Sequence, residues 1–159
     1  MLRHSTPSVS SSTYDLLLKG LLGEEPPLIG VKALAQSQEE YVLLDTRSHA
    51  EFSISHIPTS QWIGYEEFDI AFLENIPRDQ KIVCYCSVGY RSGKIGLKLR
   101  ELGFEQVYNL YGGIFEWNNQ GLKLIDMQNR ETQKLHVYNK VWGIWSNASE
   151  KVYGTKQSG

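Results

Sequence analysis

The two cysteines of this 159-residue chain, Cys84 and Cys86, lie two positions apart in the stretch KIVCYCSVGYRSG, residues 81–93. Such a pair can be a redox couple, part of a metal site, core packing, or one nucleophile beside a structural neighbour. The first two fit poorly. A disulfide between positions two apart needs a tight ring that an extended strand disfavours, and the four histidines are too scattered to make a metal-ligand cluster. KIVCYC is a compact apolar run of the kind that buried parallel strands show, and Cys84 within it reads as a small core side chain. Cys86 ends the run. Open parallel sheets bind ligands at the carboxyl ends of their strands, so Cys86 is the thiol placed for chemistry.

Beyond it, Ser87, Val88, Gly89, Tyr90 and Arg91 curl into the start of the next helix, so that several backbone N–H groups can converge on one point. Such a nest, with the helix dipole behind it, attracts an anion and favours the nucleophilic thiolate. Gly89 lets the loop turn without a side-chain clash, and Arg91 adds a positive charge close by. Ser92 either caps the helix or hydrogen-bonds the sulfur. The expected substrate-binding set is therefore Ser87, Val88, Gly89, Tyr90, Arg91 and Ser92, with Val88 and Tyr90 at the mouth of the loop. A buried cysteine before an ordinary turn is the bland alternative. A glycine three and an arginine five residues after the cysteine, at a strand-to-helix junction, weigh against it.

The elements that hold this loop follow from periodicity. TYDLLLKGLLG has Tyr14, Leu17, Leu18, Leu21 and Leu22 at helical spacing, and LIGVKALAQS reads as a short element followed by a helix. YVLLD is a buried strand ending at Asp45, SHAEFSIS a helical turn, and HIPTSQWIGY a loop and short strand, because Pro58 interrupts any helix. EEFDIAFLENI returns to helical spacing and stops at Pro77. After KIVCYC, SGKIGLKLRELGF is an amphipathic helix closed by Gly103, QVYNLYGG a third strand and GIFEWNNQG a further helix. Strands alternating with helices predict an α/β fold, a central parallel sheet with helices on both faces.

Composition bounds the class. The length fits one domain with short extensions. The net charge of −2 with mixed signs argues against nucleic acid as a partner, and no apolar stretch approaches the length of a membrane span. MLRHSTPSVSSST has a basic start but no apolar core of a signal peptide. It reads as a disordered lead-in, with a processed targeting segment as the alternative, and the expected location is cytoplasmic.

CSVGYRSG resembles the C-x-x-G-x-R-S loop of rhodanese-like sulfurtransferase domains. LLDTRSHAEFSISHIP is similar to that family's D-x-R, E-F and H-I-P pattern, and NLYGGIFEW to its closing G-G-x-x-x-W. The resemblance runs over residues 28–122, leaving 1–27 as an N-terminal extension with a short helix and 123–159 as an aromatic C-terminal extension, packed on the domain or flexible. It implies a rhodanese-like fold in which Cys86 takes a sulfane sulfur from a donor such as thiosulfate, holds it as a persulfide and passes it on. The implied partners are a small sulfur-containing donor and a thiol or cyanide-like acceptor, with a sulfur-relay protein as a further candidate. No metal or organic cofactor is implied.

Asp45 and Arg47 are expected to support the loop by salt bridge and hydrogen bond, with Glu51 pairing with Arg47. The resemblance assigns His56 to fixing the loop before Pro58. This chain departs from the family pattern there: Ser55, Thr59 and Ser60 replace a glycine before the histidine and Gly-Ala after the proline, so the turn is expected to be built differently. Gly112 and Gly113 shape a strand-to-helix turn, and Trp117 packs the core. Two other functions compete. A cysteine phosphatase or arsenate reductase resembles this loop but has five residues between Cys and Arg, against four here, Ser87 to Tyr90. A non-catalytic rhodanese-like binding module commonly lacks the cysteine, which is present here.

Overall fold

The computed structural model describes residues 6–24, 26–66, 68 and 70–154. In chain order the elements are α1 (Ser12–Leu21), β1 (Leu28–Ile29), α2 (Val31–Gln36), β2 (Val42–Asp45), α3 (His49–Ile54), β3 (Gln61–Trp62), α4 (Ile70–Leu73), β4 (Lys81–Tyr85), α5 (Tyr90–Glu101), β5 (Gln106–Leu110) and α6 (Gly113–Asn119). A C-terminal unit follows: β6 (Lys134–His136), α7 (Lys140–Gly143) and β7 (Glu150–Val152). Five strands form one parallel sheet in the order β1-β5-β4-β2-β3, so the cysteine strand β4 lies at its centre. The helix expected over EEFDIAFLENI is a single turn, α4; its residues 67 and 69 lie outside those described.

Alternation along the strands sorts side chains to two faces. Leu43, Val83 and Tyr85 join one apolar cluster with Tyr14 and Leu18 of α1, Val31 and Leu34 of α2, and Phe115 and Trp117 of α6. Leu44, Ile82 and Cys84 join the other, with Ile95 and Leu99 of α5 and Leu73 of α4. Helices thus cover both faces. Burying Ile95 and Leu99 fully contributes about 1.5–3 kcal/mol each, enough to seat α5 at the carboxyl end of β4.

Both extensions pack on this core. Ser11 caps α1 by accepting the Tyr14 N–H at 3.2 Å, a contact typical of helix starts. The lead-in expected to be disordered is tied down where it is described. Ser10 donates its N–H (3.1 Å) and hydroxyl (2.6 Å) to Glu116, whose buried carboxylate needs such partners. Residues 1–5 lie outside those described. In the C-terminal unit β6 pairs with β7 in parallel, Leu135 and Val137 are fully buried, and Trp145 stacks on Tyr14 with ring centroids 5.6 Å apart. Among the described residues no helix is long and apolar enough to cross a membrane.

Candidate active site

Register places the expected residues at one edge of the sheet. Asp45 pairs with Tyr85 across β2 and β4, so it stands beside Cys86, the first residue past the strand. The loop reverses through Gly89, at φ 126°, a conformation open to glycine and rarely to other residues, and α5 begins at Tyr90.

The Cys86 carbonyl accepts the Ile114 N–H (3.0 Å), and the Ser87 carbonyl accepts the Phe115 N–H (3.2 Å), both from the first turn of α6. This close approach needs Gly113. Its φ is 61°, and a Cβ there would lie 2.6 Å from the Cys86 carbonyl oxygen. On the sulfur side, Gly89 donates its N–H to Cys86 Sγ at 3.1 Å. The Ser92 hydroxyl lies 3.4 Å from the same sulfur, and the residue at the helix cap is Gly89.

Asn109 braces this arrangement and was not singled out from the sequence. Its Nδ2 donates to the Gly89 carbonyl (2.9 Å), and its Oδ1 accepts the Ser92 hydroxyl (2.6 Å). The signal was there: an asparagine inside the apolar strand QVYNL, 2 % exposed, has amide groups that must find partners.

Cys84 sits two residues deeper and is fully buried. Burial pushes its thiol well up from the usual cysteine value, and the neighbouring Cys86 adds to the effect. It stays protonated and is a poor nucleophile.

Two expectations are corrected. Glu51 pairs with Arg91, not Arg47. The Arg91 guanidinium donates to both its carboxylate oxygens (2.8 and 3.0 Å) and to Ser87 Oγ (3.1 Å). The capping box of α3 aims Glu51 there, its side chain also bonding back to Ser48 (3.0 Å from Ser48 Oγ). Burial alone would raise the Glu51 carboxyl. The hydrogen bonds and charge of Arg91, helped by Arg47 and Ser48, outweigh it and bring the carboxyl to about 2. Val88 is 5 % exposed and packed in the apolar cluster, so it does not line the mouth; only Tyr90, at 45 %, faces solvent. The turn after Pro58 is left-handed at Thr59, φ 72°. A threonine thus adopts a conformation best served by glycine, with Gln38 donating to the Pro58 carbonyl (2.7 Å) and Thr59 Oγ1 (3.3 Å).

The supporting residues act through α3. Arg47, fully buried, donates to Asp45 through Nε and Nη2 (3.0 and 2.7 Å) and through Nη2 to the Ser55 carbonyl at the end of α3 (2.7 Å). His56 Nδ1 donates to the Phe52 carbonyl (3.0 Å), its ring stacks on Phe52 at 3.8 Å, and its backbone bridges to Ile125. These contacts fix α3, and α3 carries Glu51 to Arg91.

A strand-terminal cysteine cradled by a glycine-turned loop, backed by a Gly-Gly helix start, is also what residues 31–120 match as a whole: the family model of the rhodanese-like domain. The chain belongs to this family. A sulfurtransferase of Allochromatium vinosum is 34 % identical over 87 residues, covering 55 % of this chain and 80 % of that protein. A tRNA uridine(34) hydroxylase of Erwinia tasmaniensis is 34 % identical over 84 residues, 49 % of this chain but only 24 % of that protein. Among solved structures, the rhodanese-like domain of an Anabaena protein superposes with TM-score 0.59 at 21 % identity, covering 64 % of this chain and 80 % of that one. A thiosulfate sulfurtransferase of Pseudomonas aeruginosa gives 0.57 at 23 %, covering 65 % and 21 %. At these identities the two structures show a shared fold.

Proposed function

We propose that this rhodanese-like domain is a sulfurtransferase that carries sulfane sulfur on Cys86. The observation that carries the reading is the sulfur's setting: Cys86 Sγ ends the central strand and receives the Gly89 N–H at 3.1 Å beside the Ser92 hydroxyl at 3.4 Å. The Cys86 thiolate attacks the outer sulfur of thiosulfate. The new S–S bond forms as the old one breaks, and its electron pair leaves on sulfite. The N–H groups of the loop face the charge as it moves onto the persulfide. An acceptor thiolate or cyanide then takes the terminal sulfur, and the Cys86 thiolate is the leaving group.

A purified-protein donor panel read by intact mass tests this. Thiosulfate, polysulfide or a persulfide donor adds one reductant-labile sulfur to the wild type and to Cys84→Ser, and none to Cys86→Ser. Equal loading of Cys86→Ser refutes the assignment. A second reading rests on the similarity to tRNA uridine(34) hydroxylases, in which this chain would be the rhodanese-like part of such an activity. Oxidation of tRNA uridine dependent on Cys86, with no donor loading the thiol, favours it.

A further inference from the structure

Cys86 is 1 % exposed, so whatever reaches its sulfur passes neighbours that select it. The cysteine loop has one such neighbour outside the family match, which ends at residue 120: a ring against Arg91, the residue bound to Ser87 next to Cys86. Between β6 and α7 the backbone passes through Tyr138 at φ 69°, a conformation that bulky side chains avoid. The contacts that hold it there are specific. The Tyr138 N–H donates to His136 Nδ1 (3.0 Å), its carbonyl accepts the Gly154 N–H (3.0 Å), and its ring centroid lies 5.7 Å from the Arg91 guanidinium carbon. The preceding Val137 is fully buried, so the position of Tyr138 is set by core packing. The Tyr138 residue is 52 % exposed, whereas the Arg91 side chain is 20 % exposed; the ring forms the solvent-side cover of the guanidinium.

A strained residue held by several contacts is characteristic of functional sites. Arg91 is already committed to Glu51 and Ser87, and with a ring over its face it offers a donor little open surface. Recognition of the donor therefore falls to the backbone N–H groups of the loop, which suit a compact anion. We propose that Tyr138 is a specificity-determining residue, narrowing the approach to Cys86 so that small anionic donors of the thiosulfate type enter more readily than bulky organic persulfides. The choice of donors rests on the sulfurtransferase reading; the narrowing of the approach does not.

The test uses the full chain in a Cys84→Ser background. Tyr138→Gly removes the ring at a backbone conformation glycine adopts freely, Tyr138→Asn does so with a residue that tolerates it, and Tyr138→Phe keeps the ring. Cys86 alkylation is timed with iodoacetamide and with a bulky aryl maleimide. The Gly and Asn variants raise the bulky-to-small rate ratio about tenfold or more, and Phe leaves it at the wild-type value. They also lower the KM for glutathione persulfide more than that for thiosulfate. A ratio unchanged in both Gly and Asn variants overturns the proposal, as does a Phe variant that behaves like Gly. Because alkylation needs no sulfur donor, a wild type that loads no sulfur while the ratio still shifts sinks the sulfurtransferase reading and leaves the narrowed approach standing.

Discussion

Glu51→Gln asks whether an ion pair holds the cysteine loop. Glu51 is 2 % exposed and is bound by both Nη atoms of Arg91. Its carboxyl is displaced from 4.5 to about 2, which corresponds to about 3 kcal/mol of stability at neutral pH. The sign follows from the direction. A carboxyl depressed in the folded state contributes fully above its unfolded value, and the contribution fades as pH falls through 4.5 towards 2. At about pH 3 roughly 1.5 kcal/mol is left. Glutamine keeps one acceptor for Arg91, and the freed guanidinium can turn partly to water, so the expected loss at pH 7 is about 2–3 kcal/mol. For a chain of this length that is a fall in Tm of about 4–12 °C. Urea unfolding of both proteins at neutral pH and at about pH 3 measures it, and the gap between them should shrink by about half. A Gln variant as stable as the wild type at neutral pH, or a gap that does not change with pH, refutes the ion pair as the tie.

Two further outcomes are expected. Gly113→Ala brings a Cβ against the Cys86 and Ser87 backbone at φ 61° and should cost about 2–5 kcal/mol with loss of sulfur loading. Gly121→Ala, at φ 77° in open space, should cost about 1–2 kcal/mol and load normally; equal costs in urea unfolding contradict the close approach. Asn109→Ala removes the partners of the Gly89 carbonyl and the Ser92 hydroxyl, costing about 1–3 kcal/mol. It should slow sulfur loading of Cys86 in timed intact-mass measurements, and an unchanged loading rate rules out the brace.

The parts of the site legible in the sequence are those fixed by local pattern. An apolar run ending in Cys86, followed by a glycine that permits the turn and an amphipathic helix, determines where the thiol stands relative to the sheet. The end of YVLLD places Asp45 beside it by strand register. For Glu51 the sequence points to Arg47, its nearest cation along the chain, four residues away. Its actual partner is forty residues on and meets it only once α3 and α5 pack at the same sheet edge. Val88 departs from expectation for a related reason: loop residues commonly face solvent, whereas here the turn at Gly89 drives it into the cluster beneath α1. Tyr138 is not legible in the sequence because its role depends on a C-terminal unit folding back over Arg91, forty-seven residues earlier in the chain.

The geometry also separates the competing chemistries more firmly than loop length does. A phosphatase-type cradle meets a dianion with its arginine. Here both Nη atoms of Arg91 are bound to Glu51, and Nη2 also to Ser87, so these donors are engaged inside the protein while the guanidinium stays within electrostatic reach of Cys86. Backbone dipoles meet the sulfur directly, and their direction is set from behind. In a planar trans peptide the carbonyl and the following N–H point opposite ways. With the carbonyls of Cys86 and Ser87 turned to the first turn of α6, the N–H groups of Ser87 and Val88 point away from it, and the Gly89 N–H already meets the sulfur. Dipoles fixed in this way need no reorganisation as charge moves, and they can follow a single negative charge from a thiolate to a persulfide. A dianionic phosphoryl group would need the cation that Glu51 holds.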